Sequence, residues 1–178
     1  RWVDLAAALE SDAVSFWAGR LKQDLPREAA LELLAEGCRE VITYAAEKEV
    51  RLAFEPEPGM LIETLQDFAE LDERVSHPCW GLTVDIGHLQ CMGELPISQY
   101  LAPWKDRIFN IHIEDMVRGE HDHLRFGAGE IDFADVMQGL RQIEYPGGLH
   151  VELSRHSHMA PQVVRESYEF LTDLLQSD

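Results

Sequence analysis

The sequence is short of cysteine and of basic residues, and it contains no long apolar run. Its three cysteines, Cys38, Cys79 and Cys91, are odd in number and never stand in a CxxC spacing. Neither a disulfide scaffold nor a cysteine-ligated zinc cluster is therefore expected, and small buried side chains in a reducing cytoplasm are their simplest role. Lys and Arg number 15 against 33 Asp and Glu, a formal charge of −18. A polyanionic duplex would meet net repulsion, so nucleic acid is not an expected partner. No stretch approaches the ~18 apolar residues of a membrane-spanning helix. No basic segment leading into an apolar one opens the chain, as a secretory signal would. There is neither a GxGxxG after the first apolar run nor a GxxxxGK[ST] anywhere, which removes the usual marks of dinucleotide and triphosphate sites. No low-complexity tract or Gly/Ser linker divides residues 1–178, so a single domain is expected.

Apolar residues make up 46% and charged residues 27% of the chain, enough to build a core. Five short apolar runs, at residues 13–17, 51–55, 81–85, 108–112 and 148–152, read as buried strands of a parallel sheet. Helical periodicity predicts helices over 27–49, 61–70, 133–143 and 160–175, with one or two helical turns over 96–104. The last residues of the runs, Trp17, Glu55, Asp85, His112 and Glu152, lie 38, 30, 27 and 40 positions apart. A βα unit of an eightfold barrel averages ~31 residues. The expected fold is thus α/β, a (β/α)8 TIM barrel represented by about five C-terminal βα units. The chain opens inside a helical pattern (Trp2, Leu5, Ala6, Leu9), so strands one to three are expected in a longer protein.

Four successive runs end in a carboxylate or an imidazole, the arrangement by which barrels assemble sites at the C-terminal face. Each has a plainer role when taken alone. Glu55 and Glu57 suit a surface turn, Asp85 a helix cap, and His112 a hydrogen-bonded core position. Gly87 lets the backbone turn so that Asp85 and His88 face one point. Together Glu55, Asp85, His112 and Glu152 form a mixed oxygen and nitrogen set suited to a divalent metal such as Mn, Mg, Co or Zn. His121 and His123 stand two apart in a glycine-bearing loop, either as extra ligands or as solvent-facing side chains. Ser154 and Arg155, with His156 and His158, follow the last run and suit either a phosphate or a plain polar loop. Trp17 either walls a pocket or belongs to the core.

The segments Phe54-Glu-Pro-Glu-Pro-Gly59, Thr83-Val-Asp-Ile-Gly-His88, Asn110-Ile-His-Ile-Glu-Asp115, His123-Leu-Arg-Phe-Gly-Ala-Gly-Glu-Ile-Asp132 and Val151-Glu-Leu resemble, in order and spacing, the xylose-isomerase-like barrel superfamily. The likeness is to its sugar-phosphate isomerase and epimerase branch, strands four to eight. That resemblance implies metal ligands at Glu55, Asp85, His112 and Glu152, with Glu55 and Glu152 also the acid/base pair. It sets His88 and Arg118 against substrate oxygens. The implied activity is proton transfer α to a carbonyl, through an ene-diolate, in a small hydroxy-carbonyl substrate. A second branch, the apurinic endonucleases with a three-zinc centre, implies a hydrolase instead; His88 and His123 match its spacing, and His121 stands where that branch has an aspartate. The net charge disfavours the hydrolase. A homo-oligomer is compatible with either.

Overall fold

The computed structural model describes residues 1–176, in two compact units. The first comprises Arg1–Val84 with Arg107–Asn110, and the second Asp85–Asp106 with the chain from Ile111 onward.

In the first unit, α1 (Trp2–Ala8), β1 (Ala13–Phe16), α2 (Arg27–Glu47), β2 (Arg51–Phe54), α3 (Leu65–Val75) and β3 (Trp80–Asp85, its last residue belonging to the second unit) alternate along the chain. β1, β2 and β3 pair in parallel, with Val14 opposite Leu52 and Phe54 opposite Leu82. All six residues of β3 are buried, as expected of a parallel strand covered on both faces. Phe16, Phe54, Phe68 and Trp80 form the core, with ring centroids 5.4–6.0 Å apart. Gly81 is required by close packing: a Cβ there would stand 2.3 Å from the Arg107 carbonyl oxygen.

α3 starts four residues later than periodicity suggests. Thr64 accepts from the Asp67 N–H while Asp67 accepts from the Thr64 N–H, a capping box that fixes the first turn. Residues 61–64 are held instead by loop hydrogen bonds, such as Leu61 N–H to the Gly19 carbonyl at 3.1 Å. The helix then runs to Val75, where Ser76 closes it in the left-handed region at φ 40°. Arg27 ties α2 to α3 through Asp67 and Glu70, each at 2.6 Å.

The second unit holds α4 (Ile86–Met92), α5 (Ile97–Leu101) with a 3-10 turn Ala102–Trp104, the latter half of β4 (Ile108–Ile113), β5 (Asp115–Val117), β6 (Glu120–Leu124), α6 (Phe133–Gln142), β7 (Leu149–Val151), a 3-10 turn Ser154–Met159 and α7 (Ala160–Gln176). β4 and β7 are parallel, with His112 opposite His150. β1, β2 and β3 adjoin in that order in the first unit, and β4 adjoins β7 in the second. The five expected strands are therefore present in sequence order.

Two elements of this unit differ from expectation. α4 follows β3 without a loop and is buried along almost its whole length, so it has no polar face to reveal a helical period. The stretch expected as a glycine-bearing loop is an antiparallel hairpin, β5 on β6, turning at Arg118–Gly119 with Gly119 at φ 77°. Asp115 anchors the segment beyond the hairpin, accepting from the N–H groups of Met116 (3.0 Å), Gly127 (2.8 Å) and Ile131 (3.2 Å). Phe126, Phe133 and Phe170 cluster with ring centroids 4.7–5.4 Å apart, Phe126 stacked on Phe170 and Phe133 edge-on to both. Among the described residues, no helix is long and apolar enough to cross a membrane.

Candidate metal centre

Asp85 ends β3 and caps α4, its Oδ1 accepting from the His88 N–H at 2.9 Å. The cap leaves Oδ2, which lies 3.9 Å from His88 Nε2. Capping and metal ligation thus use different oxygens of one carboxylate. Burial pushes the Asp85 carboxyl up, but the His88 imidazole, a hydrogen bond with the Glu114 side chain, the capped N–H and His123 outweigh it and hold the carboxyl below its ordinary range. His112 projects from β4, and its Nδ1 lies 2.9 Å from Oε2 of Glu152. Glu152 follows β7, its N–H donating to the Ile113 carbonyl at 3.2 Å. The hydrogen bond from His112 lowers the Glu152 pKa against the effect of burial.

Asp85, His112 and Glu152 each offer one ligand atom, and these atoms lie within 4.8 Å of one another. Two carboxylates and an imidazole drawn so close are costly unless a positive charge offsets them. The donor set fits a divalent cation, and its mixture of oxygen and nitrogen suits Mn, Mg, Co or Zn.

A second cluster adjoins it in the same unit. His121 and His123, two apart on β6, share one face of the strand. Their rings lie 4.8 and 5.8 Å from that of His88, with ligand nitrogens again within 4.8 Å. Burial, then the neighbouring His88 and His123, pushes the His121 pKa down. Glu114 was not singled out from the sequence. It is fully buried, with Oε1 3.6 Å from His123 Nδ1, and it groups with Asp85 and His123. The available signal was its i+2 spacing from His112, which puts both on one side of an extended strand.

In the first unit Glu55 follows β2. It is 4% exposed, and its Oε2 faces the Ser15 hydroxyl at 3.4 Å. Ser15 is in turn 2.8 Å from the Thr83 hydroxyl. Glu57 is half-buried in a turn, its N–H bonded to the Ile62 carbonyl. Trp17 is 56% exposed at the end of β1, not a core side chain.

Arg118 is not brought to the Asp85 cluster. Its guanidinium packs over Gly93, where a Cβ would stand 2.9 Å from Nη2. Gly93 caps the C-terminal end of α4, whereas Asp85 caps its N-terminal end, about 12 Å away at 1.5 Å per residue. Ser154 and Arg155 are exposed in the turn after β7. Arg155 bridges to Asp122 of the hairpin at 2.7 Å.

Alternating strands and helices, a parallel sheet, and ligand-type side chains at strand ends define an α/β barrel protein. The chain belongs to the xylose isomerase-like TIM barrel family, whose model matches residues 1–174. Among curated relatives, a putative L-ribulose-5-phosphate 3-epimerase of Escherichia coli K12 is 26% identical over 133 residues, covering 71% of this chain and 46% of its own length. An inosose dehydratase of Clostridium botulinum is 26% identical over 150 residues, covering 75% and 50%. The chain spans about half the length of the curated relatives it matches. Among solved structures, protein SMc04130 of Sinorhizobium meliloti 1021 is similar with a TM-score of 0.84 at 24% identity, over 98% of this chain and 68% of that one. The IOLI protein with a binding zinc atom gives 0.83 at 20% identity, over 97% and 66%. These two likenesses establish the fold.

Proposed function

We propose that this chain carries the reacting centre of a divalent-metal-dependent isomerase or epimerase acting on a sugar or sugar phosphate. The observation that carries the reading is the convergence of Asp85, His112 and Glu152 at the ends of three strands. The relatives named as a sugar-phosphate epimerase and an inosose dehydratase support the substrate class. In this reading Glu55 is the fourth ligand, because a carboxylate buried at a strand end needs a compensating charge. A cation held by these four residues supplies Lewis-acid polarisation of a carbonyl and its neighbouring hydroxyl.

The proton transfers belong to the two glutamates. Glu152, kept ionised by the hydrogen bond from His112, takes the proton α to the carbonyl, leaving an ene-diolate. Glu55 returns a proton to the opposite face of the same carbon for epimerisation, or to the neighbouring carbon for isomerisation, in which the hydroxyl proton also passes from one oxygen to the other. In the reverse direction the roles exchange. His88, beside Asp85, is placed to hydrogen-bond a substrate oxygen. Trp17 and Glu57 border the ends of their own strands and remain candidate pocket walls.

The test is exchange of the α-proton with deuterated water, using ketoses and ketose phosphates, with metal occupancy measured. Glu55→Gln and Glu152→Gln, each loaded with metal, are expected to lose that exchange. Native-rate exchange in both fully loaded variants refutes the two-base mechanism. A second reading, a hydrolase with a multinuclear zinc centre, is favoured by the His88–His121–His123 cluster. Binding of more than one equivalent of zinc, with cleavage of a phosphodiester, would select it.

A further inference from the structure

The side of α4 remote from Asp85 borders a polar cleft of about 570 Å³ that the proposed reaction does not use. Leu95, Pro96 and Ile97 give it an apolar floor, and Gln90, Arg118, Glu130, Asp132 and Asp135 supply its polar groups. Gln90 is only 4% exposed, and its carboxamide makes no hydrogen bond to any described residue. With no protein partner, the carboxamide is left to donate to and accept from whatever fills the cleft. The Arg118 guanidinium has no carboxylate within 4.0 Å among the described residues, although three line the same cleft. Only its backbone N–H is engaged, donating to Glu130 Oε2 at 3.3 Å.

The carboxylates are held apart by local bonds. Asp132 caps α6 through Oδ1, accepting from the N–H groups of Ala134 and Asp135. Asp135 accepts from the Ser98 N–H and hydroxyl at 3.1 and 2.5 Å. Among the described residues, no three acids of this cleft gather their oxygens within the 4.8 Å seen at the Asp85 cluster, so the arrangement does not suit a metal ion. Three carboxylates against one guanidinium repel an anion such as a phosphate. What remains is a neutral molecule that both donates and accepts at several points around an apolar face. Hydroxyls can donate to Glu130 and Asp132 and accept from Arg118, while Gln90 does either.

We propose that this cleft is a second binding site, separate from the reacting centre, for a neutral polyhydroxylated molecule of the size of a monosaccharide. The test uses the full chain and needs no catalytic assay. Neutral D-glucose, D-xylose and D-fructose are titrated against ¹⁵N-labelled protein, with D-glucose 6-phosphate as the charged comparison, and the Gln90 side-chain amide and the Gly93 and Gly119 amides are followed. At least one neutral sugar is expected to shift these signals saturably in the millimolar range, and the phosphate to bind at least about tenfold more weakly. Gln90→Leu and Arg118→Met should each weaken sugar binding about tenfold, the loss expected for a buried or charge-assisted hydrogen bond, while Zn²⁺ or Mn²⁺ affinity stays unchanged. Arg118 is exposed, so its variant keeps the test valid if Gln90→Leu misfolds. No saturable shift up to tens of millimolar, equal binding by the well-folded variants, or tighter binding of the phosphate overturns the proposal. These outcomes are independent of whether α-proton exchange occurs at the Asp85 cluster.

Discussion

Two glycines inside helices, Gly37 of α2 and Gly139 of α6, predict opposite outcomes for one and the same substitution. Neither has a positive φ, so alanine fits both backbones and brings the same helix-propensity gain, roughly 0.5–1 kcal/mol. At Gly37 an added Cβ meets nothing within 4 Å, and the gain should appear undiminished. At Gly139 the Cβ would stand 2.7 Å from the Ser98 Cα and 3.0 Å from its Cβ. Ordinary contact begins near 3.4 Å, so α5 must retreat by about 0.7 Å. The obstructing atom is backbone and cannot rotate aside. Overpacking of this kind costs ~1–3 kcal/mol, and the retreat also strains the two hydrogen bonds from Ser98 to Asp135. The net expectation is stabilisation by ~0.5–1 kcal/mol for Gly37→Ala and destabilisation by ~1–2 kcal/mol for Gly139→Ala. Urea unfolding at constant m resolves both signs. A midpoint for Gly139→Ala at or above wild type would refute the packing of α5 on α6 described here.

Three further outcomes are expected. Asp85→Asn should keep the α4 cap through its amide oxygen yet lower divalent-metal affinity at least ~10-fold, the size of effect that even outer partners of a metal exert; calorimetric titration with Zn²⁺ or Mn²⁺ measures it, and an unchanged affinity removes Asp85 from the ligand set. In the metal-free protein the Glu152 carboxyl should titrate below the usual carboxylate range because His112 holds it. Its stabilising contribution is therefore present above the unfolded-state pKa and lost as pH falls through the lowered folded value; ¹³C titration should show it returning upward in His112→Ala. Burial pushes the Cys38 thiol up to about 12, so iodoacetamide near pH 8 should leave Cys38 unmodified while half-buried Cys79 reacts, as mass spectrometry of the folded protein would show.

The parts of the fold legible in the sequence are those whose burial leaves a local mark. Each sheet strand is a short apolar run, four of the five closed by a carboxylate or an imidazole, and all five lie where that pattern puts them. α2 declares itself by a long apolar stripe with a polar back. α4 does not, because burial on all sides removes the contrast on which periodicity depends. α3 carried its own start signal in Thr64 and Asp67, but the apolar residues just before them extend the same stripe. The capping box decides between the two, through hydrogen bonds that a count of apolar positions does not register.

The site divides along the same line. Asp85, His112 and Glu152 were legible because a βα repeat brings one strand end per unit to the same edge of the sheet, so spacing along the chain translates directly into neighbourhood. The hairpin obeys no such rule. Its register is set by the two-residue turn at Arg118–Gly119, and a slip of one residue would send His121 and His123 to the opposite face. The turn that directs these imidazoles at His88 also carries Arg118 to the far end of α4, over Gly93. The resemblance sets Arg118, six residues after His112, against substrate oxygens, which would bring it to the Asp85 cluster only if the chain continued without folding back. Because it folds back, one short turn adds histidines to the Asp85 side of α4 and a guanidinium to the other. The hairpin thus separates two polar sites along a single buried helix.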